Sequence, residues 1–491
     1  MAQDNALSAI DEVLNASYVA FLSYKNLDGK KKGAFLRAIA DEIDQLGDTL
    51  LTTASAETNL PVARLQGERA RTTGHCRMFA ALVEEGSWVE ARVDHAVPDR
   101  TPLPKPDIRK MMVPVGPVVV FGASNFPLAY STAGGDTASA LAAGCPVIVK
   151  GHPAHAATSQ MVADAILRAA KKTGMPSGVF AHVDGTSFEV GKALVQHPLT
   201  AAVGFTGSFS GGKALLDYSN QRPNPIPVFS EMGSTNPVFL LPESLAKNYR
   251  DTAAKLAASI TQGVGQFCTN PGLMVAMEGQ GLDDFVSALS EEITKCLPGT
   301  MLHPGIASSY HSKLEKALAQ KGVQVEARSS ATATTHQGAP HVASAPASEF
   351  LRNPLLAEEV FGPFSLLIRC KDKNELHAVV NALHGQLTCT VVGEEQEVKN
   401  YLNVVNMLVE KAGRIIINGV PTGVEVCAAM QHGGPFPATT DARFSSVGID
   451  AIKRFIRPVA FQNFPDALLP DELKESNPLH IWRLVDGAWT R

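Results

Sequence analysis

The sequence predicts an α/β protein with two parallel-sheet αβ domains of the Rossmann type and a small β arm for oligomerisation. From Met111 to Asn418, short apolar runs alternate with longer amphipathic segments. This is the pattern of right-handed βαβ units in a sheet that is covered on both faces. The chain has 491 residues, more than one compact core usually holds, so two or three domains are expected.

Composition and charge argue against several classes of protein. A formal net charge of −5 disfavours a nucleic-acid partner, which would require a basic face for the phosphates. The first residues lack a basic stretch, and no run of about 18 apolar residues follows, so neither a signal peptide nor a membrane span is expected. The seven cysteines lack CxxC spacing, which favours reduced thiols, a cytoplasmic location and no metal site.

The N-terminal part is predicted to be helical over residues 5–93. Apolar residues recur there at helical spacing, for example at Leu36, Ile39 and Ile43. A Pro-rich stretch at residues 97–107 follows. Its composition fits either an extended arm or an ordinary surface loop.

A first αβ series runs from Val113 to Glu231. Its predicted strands are Val113–Phe121, Pro146–Lys150, Val179–Val183, Ala201–Phe205 and Pro227–Glu231, and its predicted helices are Ser131–Ala143, Ala156–Thr173, Phe188–Gln196 and Gly211–Tyr218. Ligands bind beyond the carboxyl ends of parallel strands, where Asn125, Lys150 and the Gly207-Ser208 turn stand. Because the usual GxGxxG fingerprint is absent, this turn is either a plain strand-to-helix connection or a backbone site for a pyrophosphate.

A second αβ series follows Glu231. Its predicted strands are Asn236–Leu241, Leu273–Met277, Phe364–Arg369, Thr388–Val392 and Arg414–Asn418, and its predicted helices are Tyr249–Thr261, Asp283–Cys296, Asn374–His384 and Glu397–Val409. The segment Ser329–Ala347 is rich in Ala, Ser and Thr. We expect it to form irregular surface structure or an edge hairpin.

A cysteine on a glycine-flanked loop is the first candidate catalytic group. Cys268 lies in the stretch 263–272, between glycines and beside Asn270-Pro271, as expected for a residue on a tight loop. Glu231 stands 37 residues earlier, at the end of an apolar run. A thiol and a carboxylate suffice for thiolate attack on a carbonyl followed by base-assisted hydrolysis. The alternative is an ordinary buried cysteine, since this residue type is among the most often buried.

Six motifs resemble those of aldehyde dehydrogenases and occur in that family's order. They are SNFPL (124–128), VIVKGHP (147–153), FTGS (205–208), SEMGSTNP (230–237), GQFC (265–268) and EEVFGP (358–363). Each motif alone is weak evidence for the family, but six motifs in the family's order are specific to it. The resemblance extends from about Ala34 to Gln462.

The resemblance implies a role for each matching catalytic residue. Cys268 matches the nucleophile that forms a thiohemiacetal with the aldehyde. Asn125 matches the amide that, together with the backbone N–H of Cys268, stabilises the oxyanion. Glu231 matches the base that activates water to hydrolyse the thioester.

The resemblance also implies residues that contact a nicotinamide dinucleotide. Glu359 matches the residue that holds the nicotinamide-side ribose, and Phe361 is expected to pack near the ring. Lys150 matches a lysine at the adenosine ribose, and Gly207-Ser208 matches the turn near the pyrophosphate.

Cofactor choice is predicted from one position in the VIVKGHP motif. Many NAD-preferring members carry a glutamate three residues after the lysine, where it binds the ribose diol and repels the 2′-phosphate of NADP. Pro153 stands there in this chain, so we expect NADP to be used at least as well as NAD. His152 is either a phosphate contact or a neutral turn histidine before the proline.

The C-terminal region departs from the common family pattern. The segment 418–443, together with GHPAHAATS, resembles the dehydrogenases of 2,5-dioxovalerate, also called α-ketoglutarate semialdehyde. The carboxylate of that substrate would need a cation, and Arg71, Arg77 and Arg443 are the candidates. Bacterial fatty aldehyde dehydrogenases share part of the pattern and would instead require an apolar tunnel.

Two further alternatives concern the reaction class. In a CoA-acylating or phosphorylating relative, a thiol or phosphate would release the acyl group, and the presence of Glu231 as the matching water-activating base disfavours this. A non-catalytic structural protein on the same fold would have no reason to keep Cys268, Glu231 and Asn125 together.

We therefore expect the chain to be organised in three parts. Residues 1–95 and 115–232 would form the cofactor-binding domain, and residues 233–430 the catalytic domain. Residues 96–114 and 456–491 would form the oligomerisation arm and C-terminal segment. Arm strands need a partner edge, so a homodimer or homotetramer is expected.

Overall fold

The computed structural model describes residues 2–185 and 187–491, with side chains from residue 8 onward. The helices are α1 (Ala2–Tyr24), α2 (Gly29–Asp44), α3 (Gly47–Thr58), α4 (Val62–Glu85), α5 (Gly135–Ala143), α6 (Ala156–Lys172), α7 (Phe188–Gln196), α8 (Phe209–Asn220), α9 (Pro242–Thr261), α10 (Gln280–Lys295), α11 (Pro304–Leu318), α12 (Ala347–Arg352), α13 (Lys373–Ala382), α14 (Glu395–Asn400) and α15 (Leu402–Val409). The strands are β1 (Arg92–Asp94), β2 (Ile108–Pro114), β3 (Val118–Phe121), β4 (Val147–Lys150), β5 (Phe180–Val183), β6 (Ala202–Thr206), β7 (Val228–Glu231), β8 (Val238–Leu240), β9 (Leu273–Met277), β10 (Gly299–Thr300), β11 (Gln324–Arg328), β12 (Gln337–Gly338), β13 (His341–Pro346), β14 (Phe364–Cys370), β15 (Gln386–Val392), β16 (Ala412–Ile417), β17 (Ile456–Gln462), β18 (Arg483–Val485) and β19 (Ala488–Thr490).

The N-terminal part is helical as far as Glu85, as its periodicity predicts, but the predicted range 5–93 is too long because β1 begins at Arg92. The α2 helix begins after Asp28, whose carboxylate accepts a hydrogen bond from the Lys31 N–H. Its apolar residues Leu36, Ile39 and Ile43 are fully buried and belong to the same core as α4, α5 and α6.

The first αβ series forms a five-stranded parallel sheet in the order β5-β4-β3-β6-β7. Both faces are covered, because Val118 packs with α5 and α6 while Val119 packs with α1 and α7. The predicted strand Val113–Phe121 is in fact two strands. Gly116 adopts a φ of 138°, and its turn separates β3 from β2, which belongs to another sheet.

The second series forms a seven-stranded sheet in the order β11-β13-β14-β9-β8-β15-β16. All its neighbours are parallel except β11 and β13, which pair antiparallel at one edge. The expectation of an edge hairpin is therefore met by this pair. The expectation of irregular surface structure is wrong for β13, which is buried inside the sheet and whose small side chains Ala343 and Ala345 pack against its neighbours.

Several predicted helices differ from the structure at their ends, and three of them differ most. The helix predicted to begin at Ser131 begins at Gly135, and the one predicted from Tyr249 begins at Pro242 and is kinked at Asn248. The predicted helix Glu397–Val409 is divided into α14 and α15 at Tyr401. These differences leave the order of the sheets unchanged.

A third, smaller sheet gathers the segments expected to form the arm, in the order β17-β2-β1-β18-β19. The Pro-rich stretch 97–107 connects β1 and β2 as a loop that is closed by a bridge between Val97 and Lys105. The surface-loop interpretation therefore fits this stretch, and extended structure begins at Ile108.

The two parallel sheets are joined by the short segment 232–237, which runs from the carboxyl end of β7 to the amino end of β8. The carboxyl edge of the first sheet consequently lies next to the amino edge of the second. In the described residues, no helix is both long and apolar enough to cross a membrane.

Candidate active site

Cys268 lies in the loop between α9 and β9, at the amino edge of the second sheet. Gly263, Val264 and Gly265 precede it with φ values of 55°, 59° and 64°. A Cβ at Gly265 would lie 2.3 Å from the backbone of Gly362, so only glycine permits this close approach. The Cys268 side chain is partly buried.

A buried amide network holds the Cys268 loop against the sheet. The Asn236 side-chain Nδ2 donates to the carbonyl oxygens of Cys268 and Asn270, both at 2.9 Å. The Gln386 Oε1, at the start of β15, accepts hydrogen bonds from the backbone N–H groups of Thr235 and Asn236 at 2.9 and 3.0 Å. Since every member is buried or nearly so, the network fixes the loop rigidly.

Glu231, Cys268 and His432 form one hydrogen-bonded cluster, whose polar atoms all lie within 4.8 Å of one another. Nε2 of His432 is 3.0 Å from Oε1 of Glu231 and 3.6 Å from Sγ of Cys268. The Ser446 hydroxyl donates to the other carboxylate oxygen of Glu231. Both oxygens of the Glu231 carboxylate thus have a hydrogen-bond partner, and Nε2 of His432 contacts both this carboxylate and the sulfur of Cys268.

Burial and charge in this cluster shift the pKa values of Glu231 and Cys268 in opposite directions. Burial by itself would raise the pKa of the Glu231 carboxyl, but the charge of His432 and hydrogen bonds from His432, Ser446 and Cys268 outweigh it and lower that pKa. Burial and the Glu231 carboxylate together raise the pKa of the Cys268 thiol well above its usual range. Glu231 is therefore ionised, and the neighbouring thiol of Cys268 is protonated.

His432 is a site residue that sequence reasoning missed. It lies in the segment 418–443, which was notable only as a departure from the family pattern, and it is 164 residues from Cys268. The histidine is completely buried, with Tyr130 beside it at a ring-centroid distance of 6.5 Å. The same three side chains offer metal-binding atoms, but the 3.0 Å contact of His432 to Glu231 is that of a hydrogen bond.

Asn125 is brought to the Cys268 loop, as expected. Its Nδ2 donates to the carbonyl oxygen of Gln266 at 3.2 Å, which uses one of its two N–H groups. Arg64 of α4 donates to the Asn125 carbonyl oxygen at 2.7 Å. The Glu68 carboxylate, also on α4, accepts two backbone N–H bonds from Leu128 and Ala129 and so fixes the segment after Asn125.

The candidate cofactor residues of the first sheet line its carboxyl edge. Lys150 is the last residue of β4, and Gly207 directly follows β6. Ser208 caps α8, since its hydroxyl accepts the Gly211 N–H at 3.2 Å. The strand order reverses between β3 and β6, which is where open parallel sheets bind dinucleotides. With glycines and a helix start at this crevice, the edge fits a pyrophosphate-containing ligand.

His152 is neutral in this structure. Its Nδ1 accepts the Ala154 N–H at 3.1 Å at the start of the turn that leads to α6. Burial, and then the neighbouring His155, His303 and Lys150, lower the pKa of His152 to about 3. The geometry therefore favours the neutral-histidine alternative, and a positive charge near Pro153 comes from Lys150.

Glu359 and Phe361 lie on the other side of the cluster, in the turn before β14, and both are partly buried. A Cβ at Gly233 would lie 2.5 Å from Oε2 of Glu359, so the carboxylate lies directly against the segment that follows Glu231. Burial raises the pKa of the Glu359 carboxyl to about 7, against the opposing effects of Lys313 and the Ser234 N–H.

The three arginines proposed for a substrate carboxylate occupy different surroundings. Arg71 of α4 donates to the Tyr130 hydroxyl at 3.0 Å, next to the cluster. Arg77 is paired with Asp41 and Asp44 at 2.9 and 2.8 Å. The Arg443 side chain is 80% exposed and paired with Asp441. Only Arg71 of these three is positioned beside the candidate site.

Comparison with known proteins identifies close relatives. The model of the "Aldehyde dehydrogenase family" matches residues 2–450. The "Alpha-ketoglutaric semialdehyde dehydrogenase 2" of Azospirillum brasilense is 52% identical over 468 residues, which is 95% of this chain and 89% of that protein. The "Alpha-ketoglutaric semialdehyde dehydrogenase" of Acinetobacter baylyi is 47% identical over 486 residues, covering 99% and 92% of the two chains.

Solved structures show the same fold at low sequence identity. A glyceraldehyde-3-phosphate dehydrogenase of Methanocaldococcus jannaschii, complexed with NADP, has a TM-score of 0.78 at 20% identity and covers 93% of this chain and 94% of its own. A 1-pyrroline-5-carboxylate dehydrogenase from Thermus with bound NAD has a TM-score of 0.75 at 20% identity, covering 93% and 85%. With a family model that spans most of its length and two relatives near half identity, the chain belongs to the aldehyde dehydrogenase family.

Proposed function

We propose that this protein oxidises 2,5-dioxovalerate (α-ketoglutarate semialdehyde) to 2-oxoglutarate, with NADP used at least as well as NAD. The observation that supports it most is the near-full-length similarity to two bacterial enzymes named for that aldehyde. The Cys268, Glu231 and Asn125 arrangement supports the reaction type independently of those names. The chain is an aldehyde-oxidising oxidoreductase that uses a nicotinamide cofactor.

The first half of the proposed reaction consumes the aldehyde. The Cys268 thiol gives up its proton to solvent, and the sulfur attacks the aldehyde carbon to give a thiohemiacetal. The side-chain amide of Asn125 donates its second N–H to the oxygen of that adduct. When bound, the nicotinamide ring supplies the hydride acceptor that turns the adduct into a thioester.

The second half releases the acid. The Glu231 carboxylate removes a proton from water as the water attacks the thioester. The carboxylic acid leaves and the Cys268 sulfur is regenerated. Because Glu231 must be ionised to act as this base, its ionisation decides the rate of turnover at low pH.

We assign His432 the role of positioning Glu231. Its Nε2–H and the Ser446 hydroxyl each occupy one carboxylate oxygen, so the base is both oriented and kept ionised. When Cys268 has lost its proton, the same Nε2–H is close enough to turn to the sulfur, at 3.6 Å.

The proposed cofactor contacts divide between the two sheet edges. Lys150 would bind the adenosine ribose or the 2′-phosphate, with His152 acting as a neutral donor. Gly207 and Ser208 would lie at the pyrophosphate, where α8 begins. Glu359 would accept from the nicotinamide-side ribose, and Phe361 would pack at the ring.

Steady-state kinetics with a panel of aldehydes test the proposal. The panel contains 2,5-dioxovalerate, glutarate semialdehyde, pentanal and dodecanal, each with NAD and with NADP. We expect the highest kcat/KM for 2,5-dioxovalerate, and a higher value for dodecanal would favour the fatty aldehyde alternative. A product burst whose turnover required CoA would favour an acylating enzyme.

The remaining elements of the proposal concern organisation. Residues 1–95 with 115–232 would be the cofactor domain, and residues 233–430 the catalytic domain. Residues 96–114 with 456–491 would mediate a homodimer or homotetramer in the cytoplasm. Exposed strand edges and aromatic residues in the small sheet support an interface there, with Trp489 65% exposed on β19.

A further inference from the structure

Three arginines, Arg64, Arg71 and Arg414, lie around Tyr130 and the Cys268 loop. All are partly buried, and each has one buried nitrogen without a polar partner in the part of the chain that the structure describes. These atoms are Nη1 of Arg64, Nε of Arg71 and Nε of Arg414. A buried, incompletely bonded cation is costly unless an anion joins it.

Arg71 is linked to the Cys268 cluster through Tyr130. Its Nη2 donates to the Tyr130 hydroxyl at 3.0 Å, and its guanidinium lies 5.3 Å from the centre of that ring. Tyr130 in turn packs beside His432, which contacts Cys268. Tyr130 therefore contacts both the guanidinium of Arg71 and the ring of His432, and His432 in turn contacts the nucleophile Cys268.

Arg64 approaches the same region from about two turns earlier on α4. Its guanidinium is stacked between the rings of Phe126 and Phe267, at 4.9 and 4.8 Å from their centres. Phe126 follows Asn125 and Phe267 precedes Cys268, so Arg64 lies between the two catalytic segments. The rings pre-order the guanidinium with little further loss of side-chain entropy.

Arg414 reaches this region from β16 on the other side. Its Nη2 donates to the carbonyl oxygens of Pro421 and Gly423, at 3.0 and 3.1 Å. Burial lowers the pKa of Arg414, while the Cys268 and Tyr130 groups act in the opposite direction, so both lie within electrostatic range of the guanidinium. The polar partners of all three arginines in the described residues are neutral oxygens.

The Glu68 carboxylate, on the same helix as Arg64 and Arg71, is bonded to backbone N–H groups and not to either guanidinium. Glu68 is influenced electrostatically by both Arg64 and Arg71, and burial raises the pKa of its carboxyl despite that influence. One of its oxygens is already bonded to the N–H groups of Leu128 and Ala129. In the described residues, neither α4 arginine therefore has a carboxylate as a hydrogen-bond partner.

We propose that Arg71, supported by Arg64 and Arg414, forms the subsite that binds the substrate's carboxylate while its aldehyde end meets Cys268. This assignment rests on the proposed function, because it takes the substrate to be a short keto acid with an aldehyde at its far end. A carboxylate accepts paired N–H groups of a guanidinium, and ion pairing in a partly buried site is stronger than in water. The subsite would thus select carboxylate-bearing aldehydes over neutral ones of equal length.

Arg71→Met, Arg414→Met and the charge-preserving Arg71→Lys test the subsite. The readout is the ratio of kcat/KM for 2,5-dioxovalerate to kcat/KM for pentanal, which lacks the carboxylate. We expect this ratio to fall roughly 10- to 100-fold in Arg71→Met, mainly through KM, because a hydrogen-bonded charge is removed. Arg71→Lys should recover part of the ratio, since it restores the charge but not the planar fork.

Arg77→Met provides the matched control on the same helix, since that arginine is paired with surface aspartates. It should leave the ratio unchanged. Competitive inhibition by 2-oxoglutarate gives a second measurement, and its Ki should rise in Arg71→Met and in Arg414→Met but not in Arg77→Met. A thermal melt of each variant separates loss of fold from loss of the subsite.

The two ways of failing are distinguishable. Suppose that the wild-type enzyme prefers 2,5-dioxovalerate, and that Arg71→Met and Arg414→Met keep the wild-type kcat/KM ratio and the wild-type Ki for 2-oxoglutarate. The assignment of the subsite is then wrong and the proposed function stands. If the wild-type enzyme itself oxidises pentanal or dodecanal better than 2,5-dioxovalerate, the proposed function is wrong and the subsite fails with it.

Discussion

At the scale of single residues, the candidate site places the Glu231 carboxyl, whose pKa is lowered, beside the Cys268 thiol, whose pKa is raised. Burial and the Glu231 carboxylate raise the pKa of Cys268, so the thiol is protonated beside an ionised base. The Glu231 carboxylate, bonded by His432 and Ser446, is that base. Removal of the thiol should therefore stop the first half of the reaction, whereas removal of the carboxylate should slow the second half.

Replacing the nucleophile or the base separates the two halves. Cys268→Ser should abolish aldehyde oxidation, because a serine hydroxyl is a far weaker nucleophile at neutral pH. Glu231→Gln should slow turnover by roughly 100-fold or more, and a burst of reduced cofactor would show that hydrolysis has become limiting. Stopped-flow absorbance at the wavelength where only reduced nicotinamide absorbs measures the burst. Normal turnover in Cys268→Ala would rule out the thioester route.

Replacing His432 should change the pH dependence of activity. His432→Gln removes the charge and one hydrogen bond that lower the pKa of Glu231, while burial, which raises it, remains. A base must be ionised to act, so the acidic limb of the kcat–pH profile should move to higher pH. His155, which is buried and bonded to Ser159 and the Ala123 carbonyl, offers a control in His155→Gln. An unshifted limb in His432→Gln would contradict the positioning role.

At the scale of elements, the turn between β4 and α6 is where cofactor choice should be decided. Lys150 ends β4, and Pro153 begins the short turn that leads to α6. No carboxylate stands at position 153 to repel a 2′-phosphate. The neutral state of His152 leaves Lys150 as the positive charge of this turn.

Pro153→Glu should move the preference from NADP towards NAD. Repulsion between the new carboxylate and the 2′-phosphate is expected to cost about 1–3 kcal/mol, which corresponds to a change in the ratio of kcat/KM of roughly 5- to 150-fold. The kcat with NAD should stay near its original value, since Pro153 lies in the turn before α6 and is not part of the Glu231, Cys268 and His432 cluster. Pro153→Gln controls for loss of the proline ring. A wild-type enzyme with a strong preference for NAD would already contradict the proposed cofactor.

At the scale of the whole molecule, the small sheet presents open edges that suit a second copy of the chain. All three residues of β19 are exposed, and Trp489 and Trp482 add exposed aromatic surface. An open edge with aromatic neighbours is typical of an interface between subunits. The proposed homodimer or homotetramer would bury these groups.

Trp489→Asp should weaken this assembly. A charge placed in an apolar interface loses its hydration without a partner, so the dissociation constant should rise by roughly 10-fold or more. Sedimentation velocity over a concentration series measures the shift. Leu297→Asp replaces an apolar residue that is 74% exposed outside the small sheet and is the control. A wild-type chain that sediments as a monomer at micromolar concentration would contradict the proposed assembly.

The sequence by itself determined the α/β class, the two series of strands and most element positions. Buried parallel strands are continuous apolar runs, so β9 and the helix α7 were predicted to the residue. The family could also be predicted, because its motifs are local in the chain. Where local pattern failed, as at Gly116 and within β13, the deciding contacts were with distant strands.

Only the tertiary structure decided what surrounds the nucleophile. His432 is 164 residues from Cys268 and 201 from Glu231, and no periodicity or spacing links residues so far apart. Sequence reasoning placed Arg71 among three arginine candidates, but the contacts of Tyr130 were needed to separate it from Arg77 and Arg443. The physical reason is that burial, charge and hydrogen bonding at the site depend on side chains from both sheets. These meet only where the carboxyl edge of one sheet lies against the amino edge of the other.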